Sequence, residues 1–376
     1  MSELFQLIQA EIAASGPMTF ARFMELALYH PGLGYYEAGR NQVGFKGDFY
    51  TSVSAGELFG QLLAFRFASW LEALPVVGDD LWLVEAGAHD GQLARDILGW
   101  LREQRPKLYA RLRYGIVDPS RQRQTWQREK LGDFGERVRW FDSLAAIANR
   151  SDSAPLPSPS KAAGQINGII FSNELLDAMP VHRLGWDATE RAWFEWGVDW
   201  DGQNFSWAKL EKGSADALKA INLPGELLAV LPDGYTVEVS PAGEAWWREA
   251  AGVLKQGKLL AIDYGFTREE MISPARTNGT IRAYYKHQSC EDVLANPGEQ
   301  DLTAHVNFSA MQTAGELAGL RTEAYLTQPQ FLTGILGEAI KDPSFEAWTE
   351  KRTRQFQTLT HPQHLGRAFK VLTQGR

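Results

Sequence analysis

Residues 81–98 read LWLVEAGAHDGQLARDIL. Leu81–Val84 is a short apolar run with the character of a buried strand, and from Gly91 to Arg102 the pattern becomes helical. Between the two, Gly87 permits a tight turn and a close ligand approach, while Gly91 lets the helix start beside the sheet. Strand, glycine turn and helix make the opening unit of an open α/β sheet, where ligands sit outside the carboxyl ends of the strands.

Downstream the alternation repeats. RLRYGIVD (111–118) reads as a second strand with a helix Ser120–Leu131 behind it, RVRWF (137–141) as a third and INGIIFSN (166–173) as a fourth. GELLAVLP (225–232) and YTVEVS (235–240) also read as strands. A helix Pro241–Lys255 then leads into KLLAIDYG (258–265), and GRAFKVLTQ (366–374) supplies a closing strand. The expected fold is therefore α/β, a doubly wound and mostly parallel sheet with helices on both faces.

Two regions depart from this rhythm. Residues 1–78 read as an N-terminal helical extension: Leu4, Ile8 and Ile12 line a first helix, and Met18–Leu28 form a second, stopped by Pro31 and Gly32. A Gly- and aromatic-rich loop follows from Tyr29 to Ser52, then a helix Ala55–Ala73 with Ser54 as its cap. The core spans 79–376 and carries an insertion over about 181–232. There Trp186, Trp193, Trp196, Trp200 and Trp207 stand among frequent Asp and Gly, which reads as a β-rich meander. Ser151–Gly164 is expected to be a surface loop.

Composition narrows the function. The chain has 376 residues, is 44% hydrophobic and 22% charged, and carries a net charge of −8, so no nucleic-acid partner is expected. Cys290 is the single cysteine, which rules out an intrachain disulfide and a cysteine-based metal cluster. No apolar run approaches the roughly 20 residues of a membrane span. The first helix carries Glu3 and Glu11 without an arginine, which argues against a transit peptide and for a cytoplasmic protein.

The strand ends carry the candidate chemistry. Glu85 can accept from an ammonium group or a ribose, and Asp118 from both hydroxyls of a ribose. Asp142 and Ser143, at the third strand's end, are placed for an adenine edge. Glu85 and Asp90 put negative charge beside the first loop, which disfavours a pyrophosphate and suits a sulfonium cofactor with a zwitterionic tail. After the fourth strand, FSNELLDAMPVHR (171–183) sets Asn173, Glu174 and Asp177 ahead of Pro180. Carboxylates there can hold a guanidinium, although Asn173 capping a helix would explain the same residues. His287 and His305 stand outside any metal-ligand spacing, so no metal is expected.

With these residues the chain resembles the MidA-like family of methyltransferases. The resemblance rests on ordered blocks: FMELALYHPGLGYY, GDFYTS with ELFG after it, NELLDAMPV, KLLAIDYG and DLTAHVNFSA. It implies a class I methyltransferase core, S-adenosyl-L-methionine as cofactor and, by analogy with a mitochondrial member, a protein arginine as acceptor. It also implies cofactor contacts at Glu85, Gly87, Gly91 and Asp118, a loop of Gly47, Asp48 and Phe49 folding over the cofactor, and a transfer site at Asn173, Glu174 and Asp177. The chain departs from the family where ELGPGRG becomes EAGAHDG, with His89 in place of a glycine. That departure motivates a second reading, a cofactor-binding assembly factor or scaffold with little catalysis. A third, a nicotinamide-dependent oxidoreductase, rests only on the loop and Asp118.

Overall fold

The computed structural model describes residues 2–37, 51–75, 81–149, 164–221, 223, 225–285, 288–345, 347–366 and 368–376. They form two compact units, one of Met1–Phe49, Leu176–Ala245 and Gly265–Met311, the other of Tyr50–Leu175, Trp246–Tyr264 and Gln312–Arg376.

The second unit holds the sheet. Its strands are β1 (Leu81–Ala86), β2 (Leu112–Val117), β3 (Val138–Phe141), β4 (Ile166–Asn173), β5 (Leu254–Phe266), β6 (Arg321–Thr327) and β7 (Phe369–Gly375). Their order across the sheet is β6-β7-β5-β4-β1-β2-β3. β1 to β5 run parallel, and β7 lies antiparallel between β5 and β6. Strand order reverses between β1 and β4, and such a switch point is where open α/β sheets leave a crevice for ligands. One sheet face carries Leu83, Tyr114, Phe171 and Val371 into a core shared with the helices Leu58–Glu72, Gln92–Gln104 and Gln328–Ala339. On the other face Trp247 donates to Gln374 Oε1 at 2.7 Å.

The first unit gathers segments distant in sequence. Helices Glu3–Ser15 and Phe20–Tyr29 lie against an antiparallel sheet of Met18–Thr19, His182–Asp187, Ala192–Trp200, Phe205–Lys209 and Thr236–Val239. Phe5 meets Trp200 and Phe205, and Phe20 meets Trp207. A boundary near residue 78 therefore misses how the chain divides. The apolar face of the first helix is completed by the inserted meander, so the two share one core.

Two local expectations are corrected. GELLAVLP is not a strand: Gly225–Leu228 is a short helix, and Leu227 and Val230 are exposed, which a buried strand would not allow. Ser54 does not cap the third helix. It lies in a single 3-10 turn, Val53–Ala55, with its hydroxyl against Thr51, and Gly56 at φ +119° separates that turn from the helix at Leu58.

Candidate active site

The first loop leaves β1 through Gly87, whose φ of +75° favours glycine, and a Cβ there would meet Leu175 Cδ1 at 2.9 Å. Gly91 is left-handed at φ +85° and starts the helix Gln92–Gln104. Between them His89 also takes a left-handed φ, +46°, which costs a side-chain-bearing residue of the order of 1 kcal/mol. Its ring lies edge-on to Trp126 with centroids 6.3 Å apart, and its carbonyl accepts from Gln127 Nε2 at 2.9 Å.

Electrostatically this loop differs from its sequence. Glu85 is buried and accepts from the Tyr114 hydroxyl at 2.6 Å. Burial pushes its carboxyl up to about 8, with Asp90 and Asp96 adding to the rise. Asp90 is tied to Lys130, and the bonds from His89 and Lys130 outweigh burial to hold it well below the ordinary carboxylate range. At neutral pH the loop therefore bears less negative charge than Glu85 and Asp90 suggest on paper.

Asp118 ends β2 as a hub. It is buried, and its two oxygens take Arg123 Nε at 3.0 Å each, Arg123 Nη2 at 2.9 Å, Gln127 Nε2 at 2.8 Å and the Ser120 amide at 3.0 Å. Asp142 is half exposed and accepts from Arg121 and Gln124. The Ser143 hydroxyl caps the helix Leu144–Ala148.

The end of β4 brings Asn173 and Glu174 together. Glu174 takes φ +52°, and its amide donates to Ile262 O at 3.0 Å. Its Oε1 accepts from the Asn173 amide nitrogen at 3.2 Å and from the Ser52 backbone amide at 3.3 Å. Asn173 Oδ1 and Ser172 Oγ are buried without a hydrogen-bond partner among the described residues. The turn is pinned by fully buried Asp263, which accepts from the Leu175 amide at 3.1 Å and the Tyr264 amide at 2.8 Å.

Asp177 belongs to the other unit, where it is buried and its carbonyl accepts from the Ala304 amide at 2.9 Å. There too His305 stacks on Phe266 with centroids 4.7 Å apart, and burial lowers its ring to about 4, so it is neutral at physiological pH. Gly47, Asp48, Phe49 and His287 lie outside the described residues.

Sequence reasoning missed Asp263, Ser52, Arg123 and Gln127. Asp263 lies inside β5, three residues before its carboxyl end, where a search for polar residues just past the strands does not reach. The others work through contacts far apart in the chain and leave no local signal.

The residues fit S-adenosyl-L-methionine. Gly87 and Gly91 take the left-handed backbone of a tight strand-to-helix turn, Glu85 is a buried carboxyl at the end of β1, and the Asn173 oxygen has no donor among the described residues. Comparisons with known proteins agree. A family model described as an S-adenosyl-L-methionine-dependent methyltransferase matches residues 62–326. The mitochondrial protein arginine methyltransferase NDUFAF7 homolog of Drosophila melanogaster is 27% identical, over 98% of this chain and 84% of its own length. Human mitochondrial NDUFAF7, also a protein arginine methyltransferase, is 25% identical over 98% and 82%. A crystal structure of a Burkholderia thailandensis protein bound to S-adenosyl-homocysteine is 33% identical, superposes with a TM-score of 0.80, and is matched over 99% of this chain and 92% of that one. The mitochondrial relatives overturn the cytoplasmic placement read from the N-terminal segment, because the absence of arginine from one short helix is a weak compartment signal. A matching family model over most of the length and a one-third-identical structure of the same fold place this chain in the MidA-like family of S-adenosylmethionine-dependent methyltransferases.

Proposed function

We propose that the chain methylates an arginine side chain of a protein, with Glu174 as the residue that holds the acceptor. The observation that carries this reading is the Glu174 carboxylate, set in a left-handed conformation at a strand end and oriented by Ser52 and Asn173. Backbone strain of this kind is kept where the surroundings over-determine it, often at functional sites. Relatives in fly and human that bear the name protein arginine methyltransferase support the same acceptor.

S-adenosyl-L-methionine, when bound, supplies an electrophilic methyl group on sulfur. The chain's own task is to bring a nitrogen lone pair in line with that methyl and to take charge off the nitrogen as its new bond to carbon forms. Arginine stays protonated at neutral pH, so a carboxylate is needed to localise its charge on the far nitrogens. Glu174 fits that need, and the Asn173 carbonyl oxygen is an acceptor for a guanidinium N–H. On the cofactor side, Glu85, Gly87, Gly91 and Asp118 provide the seat in this proposal.

The direct test incubates the full chain with methyl-labelled cofactor and a cell lysate, then identifies labelled residues by mass spectrometry. Methylarginine in protein is the expected product. Label confined to lysine, nucleic acid or small molecules would overturn the arginine assignment.

A further inference from the structure

We infer that Arg123 and Gln127 are positioning residues of the cofactor site, a buried bracket that holds the Asp118 carboxylate and the first loop in one geometry. This rests on the reading of β1 and β2 as the cofactor seat.

Both residues lie on one face of the helix Arg121–Leu131, four apart, and both are buried. Gln127 has no exposed surface, and its amide makes three bonds: Nε2 donates to His89 O at 2.9 Å and to Asp118 Oδ2 at 2.8 Å, while Oε1 accepts from Trp140 Nε1 at 3.1 Å. A single side chain thus joins the loop after β1, the acid at the end of β2 and a residue of β3. A Cβ on Gly91 would sit 3.5 Å from the Gln127 Cα, so loop and helix are also in van der Waals contact.

Arg123 lies side-on to the carboxylate, its Nε shared between both oxygens and Nη2 on Oδ1. A carboxylate offers about four lone-pair directions. With Gln127 on Oδ2 and the Ser120 amide on Oδ1, donors already stand at each. The carboxylate plane is therefore fixed before any ligand arrives and its charge is balanced by Arg123. A ribose hydroxyl can share it only where the divided Nε bond yields, so the geometry favours one hydroxyl on Oδ2 over a two-point grip on both oxygens.

The bracket predicts that cofactor affinity depends on residues with no need to touch the cofactor. In isothermal titration of the full chain with S-adenosyl-homocysteine, Gln127→Met should weaken binding about tenfold. Arg123→Lys keeps the charge but loses the planar fork, and should weaken it by a similar factor while retaining the fold. Thermal melts of the ligand-free variants identify any that fail to fold, and the milder Arg123→Lys keeps the test alive if Gln127→Met does. Lowered melting temperature with unchanged affinity in the folded variants would overturn the bracket and leave both residues structural. Asp118→Asn separates the two levels. If it binds S-adenosyl-homocysteine like the wild type, the cofactor-seat reading fails. If it weakens binding while the bracket variants do not, only the bracket fails.

Discussion

The ends of β1 and β2 and the end of β4 use the same residue types in opposite ways. At β1 and β2 the acids are held by internal donors: Glu85 by Tyr114 at one oxygen, and Asp118 at both oxygens by Arg123, Gln127 and Ser120. At β4 two buried oxygens, Asn173 Oδ1 and Ser172 Oγ, have no donor among the described residues, and Glu174 sits in a strained backbone. A buried polar atom without a partner costs about 1–3 kcal/mol. Such a cost persists where function uses the atom. In the proposed function the contrast separates a rigid seat, whose groups are oriented by one another, from a reactive end whose capacity is kept in reserve.

The largest expected effect breaks the seat. Asp118→Ala removes the carboxylate from the buried Arg123 guanidinium, and loss of one partner of a buried pair costs about 3–5 kcal/mol of stability. Urea unfolding measures this, and titration of the folded fraction should show weaker S-adenosyl-homocysteine binding as well. Loss below about 1 kcal/mol would mean that Arg123 relaxes to solvent and that the seat is not rigid.

The reactive end should respond in rate and not in stability. Glu174→Gln keeps shape and most hydrogen-bonding capacity but removes the charge. It should cut turnover on an arginine acceptor at least about tenfold, or about 1.4 kcal/mol of barrier, with cofactor affinity unchanged. Full turnover would reduce Glu174 to a turn residue and erase the contrast between the two ends.

A pH experiment sharpens the electrostatic half of the comparison. With its carboxyl pushed up to about 8, Glu85 in the folded chain holds a proton that the unfolded chain, at about 4.5, has lost. Its contribution to stability is full below the unfolded value and disappears as pH rises to about 8. An ammonium ligand needs the carboxylate form, so cofactor uptake at neutral pH should expel a proton and affinity should rise between about pH 6 and 8. Titration in buffers of different ionisation enthalpy measures the proton count. Glu85→Gln should flatten the dependence, and a wild-type profile already flat would remove Glu85 from the ammonium site.

His89→Gly is the smallest change. Relief of the left-handed φ and the added freedom of the unfolded chain nearly cancel, so stability should move by less than about 1 kcal/mol. Affinity for S-adenosyl-homocysteine should stay the same or tighten slightly, because the ring leans on Trp126. A marked loss would make the imidazole a ligand contact.

Much of the frame is legible in the residues. β4 spans the Ile166–Asn173 run as read, and Ser120 caps the helix that follows β2. These elements follow from short-range rules, apolar period and side-chain capping, which need nothing beyond neighbouring residues. The same rules find the acids at the strand ends, because an open parallel sheet delivers its polar termini to one edge.

What they could not reach is the state of those acids. Nothing near Glu85 in the chain announces that Tyr114 and burial will hold a proton on it, and nothing near Asp90 announces Lys130, 40 residues on. Ser52 meets Glu174 across 122 residues. The first helix and the tryptophan-rich insert look like separate appendages until their apolar faces meet. Local sequence thus determined which residues stand at the strand ends. Charge, protonation and orientation there depend on desolvation and on donors brought in from elsewhere in the chain, which only the folded structure decides.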